Sequence, residues 1–445
     1  MYQKNQTFRG AEPSWANACV GENGDPSYVE YARGFSKAAN ILIRAVLKDR
    51  SIHLTTDEFV YPICFNMRHS IELRLKGAIE ALQKLATLKS ERLPFNIKGT
   101  HDLNKLWLFF KKESVSIDDR FKSIATELDQ TIIDVAEVDP TGQTFRYPFN
   151  TKSVKHLTDV SLINFAVLLR NFTNLEKSLD KLLAIYEWLI DEYNNSGLRR
   201  IQRNVIFAIA HDLPNRAHWS DGKFNKTKAQ IREKYRLSSN QLTKVIDYIQ
   251  HNHALSKFIG IEKPLLGIQP NQIELFVKVW ISENEDLKQI PPLYENEDDH
   301  DRFSTELANL FRLPRVDWSL LQHLETPEET AGLHALFYFS YDFKFSESYI
   351  KTFDRFLAEL TEIDKRGDGA LRAELRHVFD KSNFAHHLIQ SLYTLGHSSL
   401  AEKIIAEHGI EHAFSWLCDA RSGALFEYPE FAQYPRQWKA PKPEI

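Results

Sequence analysis

Apolar residues recur at three- and four-residue intervals through most of this chain, the spacing of one buried helical face. The pattern is clearest between Tyr61 and Ala78, where Ile63, Met67, Ile71, Leu75 and Ala78 keep step. A helix is expected from Thr56 to Leu88, with Pro62 in its first turns, where a missing N–H is best tolerated. On its polar side Arg68, Glu72 and Lys76 lie one turn apart and can pair along one face, with His69 beside them. Ahead of it, Ser27 to Val46 reads as a helix carrying Tyr31, Phe35, Ala38, Ile41 and Ile43, preceded by an irregular arm. Behind it follow helices from Asp102 to Lys111 and Phe121 to Val135, then a long one from His156 to Asn194 with a break near Asn171. Asp139-Pro140-Thr141-Gly142-Gln143 is turn chemistry, and Thr144 to Phe149 a short extended piece. Long helices joined by short loops predict an antiparallel bundle over residues 1–196.

The periodicity continues with a different charge. From Arg199 to Lys257 twelve cations stand against four anions, a balance of +8. A basic segment of this kind is the electrostatic footprint of a nucleic-acid surface. Lys226 to Tyr235 and Ser239 to His251 read as two helices joined by Arg236-Leu237-Ser238, and Ser238 with Gln241 has capping-box spacing. The pair resembles a helix-turn-helix, with Phe258 to Ile268 as its wing. Ser239, Asn240, Thr243, Lys244 and Asp247 would then face outward on the recognition helix. Asn240 would read a base, while Lys226, Lys228, Arg232 and Lys244 meet phosphate. A protein-binding helical pair is the alternative. An acidic, proline-containing linker follows over residues 283–301. Residues 302–445 read as paired helices, including Phe303 to Phe311 and Ile410 to Leu417, with an irregular tail from Asp419. The fold class is therefore mainly α: a bundle (1–196), a winged helix-turn-helix-like basic segment (197–282), a linker, and an all-α C-terminal region.

Composition narrows the function classes. A chain of 445 residues with 43% hydrophobic and 26% charged residues has ordinary globular make-up. No apolar run approaches a membrane span and the N-terminus lacks a signal-peptide core, so a soluble cytoplasmic protein without a membrane partner is expected. Three distant cysteines offer neither a disulfide framework nor a zinc site. His386, His387, His397, His408 and His412 lack metal-ligand spacing, and no phosphate-binding loop or nucleophile elbow is found. No cofactor and no metal are expected.

Three pieces of the first region carry a resemblance. They are Arg68-His69-x-x-Glu72-Leu73-x-Leu75-Lys76, then His101-Asp102-Leu103-x-x-Leu106-Trp107, then Phe145-Arg146-Tyr147-Pro148. In order and spacing this resembles the HEPN superfamily of prokaryotic helical-bundle proteins. The resemblance implies a bundle that dimerises and, in many members, a metal-independent RNA-cleaving site at the dimer interface. The chain departs from the ribonuclease pattern of an Arg followed by a His four to six residues later on a late helix. Arg170-Asn171 sits where that pair would begin, yet Phe172 to Asp180 holds no His. The nearest later set is Arg203-Asn204 with His211.

The remaining polar residues admit two readings. As a pocket, His69 or His101 would move protons, and Arg68 or Arg146 would hold phosphate beside Glu72. As structure, Asp102 caps a helix and Arg146 ties a loop to Glu72. The expectation is a nucleic-acid-directed HEPN-like protein of a bacterial stress, toxin or phage-defence system, homodimeric through the bundle and acting on RNA or DNA. A metal-independent endoribonuclease is its enzymatic form. The alternatives are a DNA-binding regulator without catalysis, and a helical scaffold.

Overall fold

A computed structural model describes residues 6–48, 55–150, 152–220, 222–283, 320–342, 345–367 and 369–435. The protein is mainly α, and among the described residues it has no strand, only one isolated bridge between Phe149 and Lys155. The chain divides into two compact units, Met1–Asn194 and Asn195–Ile445.

The first unit contains α1 (Tyr28–Lys48), α2 (Thr56–Leu88), α3 (Leu103–Ile117), α4 (Phe121–Val138) and α5 (Phe165–Asn195). The α1 helix buries Ala32, Ser36, Ala39, Ile43 and Val46, whereas Tyr31 and Ile41 point to solvent. The inward stripe thus begins with small residues, Ala32, Ser36 and Ala39, and ends with Ile43 and Val46. Hydrophobicity alone favoured the larger neighbours. The α2 helix is the centre of the unit: from Ser70 to Ile79 every residue is buried, including Glu72, Arg74 and Lys76. The last long helix begins at Phe165 instead of His156, because Asn164 Oδ1 accepts from the backbone N–H of Ala166 and Val167, both at 3.0 Å, and caps it. It then runs unbroken through Asn171. At the start of α4, Arg120 is fully buried and bonds Asp118 and both carboxylate oxygens of Glu192 (2.8 and 2.7 Å), fastening α5 to the bundle.

The second unit opens with α6 (Arg203–Asp212), α7 (Lys223–Tyr235), α8 (Ser239–His251) and the short α9 (His253–Ser256). Ile206, Phe207, Ile231, Leu242, Val245 and Ile249 close one core between them. Tyr428 and Tyr434 pack on the same core, Tyr434 stacked on Phe207 with centroids 4.7 Å apart, so the tail expected to be irregular is anchored here. The expected wing is not formed. Phe258 to Ile268 contains no strand, and Leu265 and Ile268 are instead buried in a second core. That core joins α10 (Pro270–Glu283) to α11 (Pro327–Phe339), α12 (Glu347–Asp364), α13 (Ala370–Phe379), α14 (Phe384–Thr394), α15 (Ser398–His408) and α16 (Leu417–Ser422). The expected helix from Ile410 to Leu417 is replaced by a 3₁₀ turn, Glu411–Ala413, after Gly409 ends α15 in the left-handed region at φ 63°. The linker and the helix expected at Phe303 to Phe311 lie outside the described residues. No described helix is long and apolar enough to cross a membrane.

Candidate functional site

The polar residues singled out on α2 do come together, but mostly inward. Arg68 is 2% exposed. Its Nε donates to the carbonyl of Asp139 (3.1 Å), its Nη2 to the carbonyls of His101 (2.5 Å) and Pro140 (2.7 Å), and its Nη1 to Glu72. Gly142, at φ +77°, lets the following turn lie flat on the guanidinium: a Cβ there would sit 3.1 Å from Nη1. Arg68 therefore clamps two loops onto α2, with four of its five N–H donors engaged within the protein.

Glu72, 3% exposed, gathers Arg68, Lys76 Nζ (2.9 Å) and His101 Nδ1 (2.9 Å), with His69 Nδ1 at 3.8 Å. Burial alone would raise this carboxyl. The nearby His69, the bond from Lys76, the charge of Arg68 and the bond to His101 outweigh it and hold the group well below the usual carboxylate range. Glu72 is thus a permanently ionised buried anchor.

His101 is the accessible member. Its side chain is 62% exposed while Nδ1 rests on Glu72. A carboxylate behind one ring nitrogen fixes the imidazole and leaves the other nitrogen outward, an arrangement suited to proton transfer. Asp102 caps α3 by accepting from Lys105 N at 3.1 Å, as the helix-cap reading expected. His69 is half-buried, its ring stacked on Phe65 (5.6 Å) and edge-on to Phe35 (4.5 Å). Arg146 is exposed and lies over the rings of Phe65 (5.5 Å) and Tyr147 (5.3 Å). It does not tie a loop to Glu72, because Arg68 and Lys76 already fill that role.

The α7–α8 surface is laid out differently. Ser238 and Gln241 form the capping box that starts α8, with bonds of 2.8 and 3.2 Å. Leu242, Val245, Ile246 and Ile249 turn into the core, which leaves Ser239, Asn240, Thr243 and Lys244 exposed on the opposite face. Lys226 and Arg232 are exposed on α7 and Arg236 in the turn, and none has a carboxylate partner among the described residues. Lys228 stands 4.9 Å over the ring of Phe224. Phe224 in turn stacks on Trp219 (4.6 Å), and Arg216 lies over the Trp219 ring at 4.9 Å. This ladder of two cations and two rings was not anticipated from the sequence. Its members are spread over thirteen positions of irregular and helical chain with no fixed spacing.

Of the C-terminal histidines, His386, His387 and His397 are structurally occupied. His386 accepts from Trp416 Nε1 (2.8 Å), His387 bonds Ser340 and Asn383, and His397 bonds the carbonyl of Lys263 (2.8 Å). Compared with known proteins, the chain matches no family model, no curated protein and no solved structure.

Proposed function

We propose that this is a nucleic-acid-directed protein whose contact surface is the exposed face of α7 and α8. One observation supports the reading: Lys226, Arg232, Arg236 and Lys244 are exposed, with no carboxylate partner among the described residues, beside the outward Ser239, Asn240 and Thr243. Cations left free of ion pairs release counterions when they meet phosphate, which supplies affinity, while the amide of Asn240 supplies base discrimination. The Arg216–Trp219–Phe224–Lys228 ladder adds two further cations beside that surface. The HEPN-like bundle, with homodimerisation through it and a role in bacterial stress or phage defence, belongs to the same proposal.

A second reading is metal-independent RNA cleavage in the first unit. The exposed imidazole of His101, fixed on buried Glu72 at 2.9 Å, favours it. In this reading His101 moves the proton, and His69 and Arg146 are the accessible polar neighbours. Arg68 and Glu72 position and do not touch substrate.

The test uses labelled single- and double-stranded RNA and DNA with EDTA present. Binding that weakens steeply with salt and is lost in Lys226→Ala/Lys244→Ala supports the first reading. Cleavage lost in His101→Ala, with binding retained, supports the second. Absence of binding even at low salt overturns both.

A further inference from the structure

A cavity of about 230 Å³ lies within the first unit, between α2, α4, α5 and the segment that leads from α4 to α5. Its walls include Met67 and Ile71 of α2, Val138 of α4, Phe172 of α5, and Phe145 and Val160 of the connecting segment. The pocket opens to solvent on one side, so a ligand seated in it covers mainly apolar wall and releases the water held there.

The charges around the cavity define the kind of ligand. Arg68 is the one cation among the lining residues, its charge is paired with Glu72, and four of its five N–H donors go to Glu72 and three carbonyls. Asp134, Asn171 and Thr131 also line it, and the first two are exposed, placing polar acceptors at the solvent edge. Cys64 lines the wall as well; burial, with the charge of Asp139 adding to it, pushes its thiol up to about 12, so it stays neutral. An anion would meet the exposed Asp134 beside an Arg68 whose charge is already paired with Glu72, and a cation would surrender its water to apolar walls. Among its described residues the connecting segment forms no helix and only one isolated bridge, Phe149 to Lys155.

We infer that this cavity binds a neutral, mainly apolar small molecule of aromatic-ring size with one hydrogen-bond donor, the donor facing Asp134 and Asn171. The site is independent of the nucleic-acid surface. An occupant would touch Arg68 and Phe145, and through Arg68 the loops at His101 and Asp139–Pro140.

The probes are indole, neutral with one N–H donor, and indole-3-carboxylate, the same ring made anionic. Each is titrated into the full chain by calorimetry, with melting temperature followed in parallel. Indole is expected to saturate one site per chain and raise the melting temperature, as any ligand selective for the native state does. The carboxylate should bind at least about tenfold more weakly. Val138→Phe, which fills the cavity from α4, should weaken indole by about tenfold or more while melting no lower without ligand. If that variant does not fold, Val160→Phe fills the cavity from the connecting segment. Three results each overturn the assignment: no saturable indole binding up to millimolar concentration, equal binding of the carboxylate, or equal binding by a folded filling variant.

Discussion

Arg203 and Glu347 form an ion pair that joins α6 to α12, with Nη2 to Oε2 at 2.9 Å and Nη1 to Oε1 at 2.5 Å. Tyr248 and Asn252 donate to the same carboxylate, so α8 and the cap of α9 are held at one point. Burial alone would raise the Glu347 carboxyl, but Arg203 and these bonds hold it below its ordinary value. The pair also removes a catalytic candidate. Arg203 began the nearest Arg…His set with His211, yet its side chain is fully buried and both terminal nitrogens are engaged. Removing one partner of a buried pair leaves the other uncompensated, so Arg203→Met is expected to cost roughly 3–5 kcal/mol. Urea unfolding followed by far-ultraviolet dichroism measures it; a loss under about 1 kcal/mol would contradict a buried, coupled pair.

On the α7–α8 surface, each phosphate-contacting cation removed should lower the slope of log affinity against log salt by about 1. Lys226→Ala, Arg232→Ala and Lys244→Ala are expected to weaken binding to all sequences alike. Asn240→Ala should instead narrow the gap between preferred and random sequence by about 1–3 kcal/mol. Filter binding over a salt series separates the two kinds of effect.

Glu72 should act as a structural anchor whatever the protein's activity. Glu72→Leu strands the buried Lys76 and unpairs Arg68, so a loss of several kcal/mol is expected. His101→Ala removes an exposed ring and should change stability by less than about 1 kcal/mol. A His101 variant that folds normally but loses RNA cleavage would mark that ring as chemical. A His101 variant that unfolds would mark it as part of the clamp.

Acid should weaken the second unit in a defined window. Burial pushes His334 and His387 down to about 4, so both are neutral in the native state. The unfolded chain takes up those protons near pH 6.5. The stabilisation is therefore complete above about pH 6.5 and is lost as pH falls toward 4, by up to about 3 kcal/mol for each histidine. Glu72 behaves in another range: its depressed carboxyl stabilises above the ordinary glutamate value and fails only in stronger acid. Urea midpoints at pH 7.5, 6 and 4.5 test the histidine window. A His334→Gln variant should show a shallower fall, and a flat wild-type profile over this range would contradict neutral buried histidines.

The helical character of the chain, the α8 capping box and the apolar face of α8 were legible because each depends on neighbours three or four residues away. Helix ends were less so. Asn164 starts α5 through its own side chain, and which stripe of α1 faces inward depends on where α2 lies. The +8 segment and its outward polar residues were likewise visible, since charge and period are local properties.

The placement of the singled-out polar residues was not. Arg68, Glu72 and Lys76 share a helical face in the sequence, but periodicity cannot say whether that face meets water or the loops at His101 and Asp139. Arg203 and Glu347 are 144 positions apart, and nothing in either neighbourhood announces the other. Local spacing determined which elements form and which residues ride together on a face. Only the tertiary structure, by choosing which faces lose their water, decided that Arg68 and Glu72 are anchors, that His101 and Arg146 remain accessible, and that Phe258 to Ile268 joins a core instead of forming a wing.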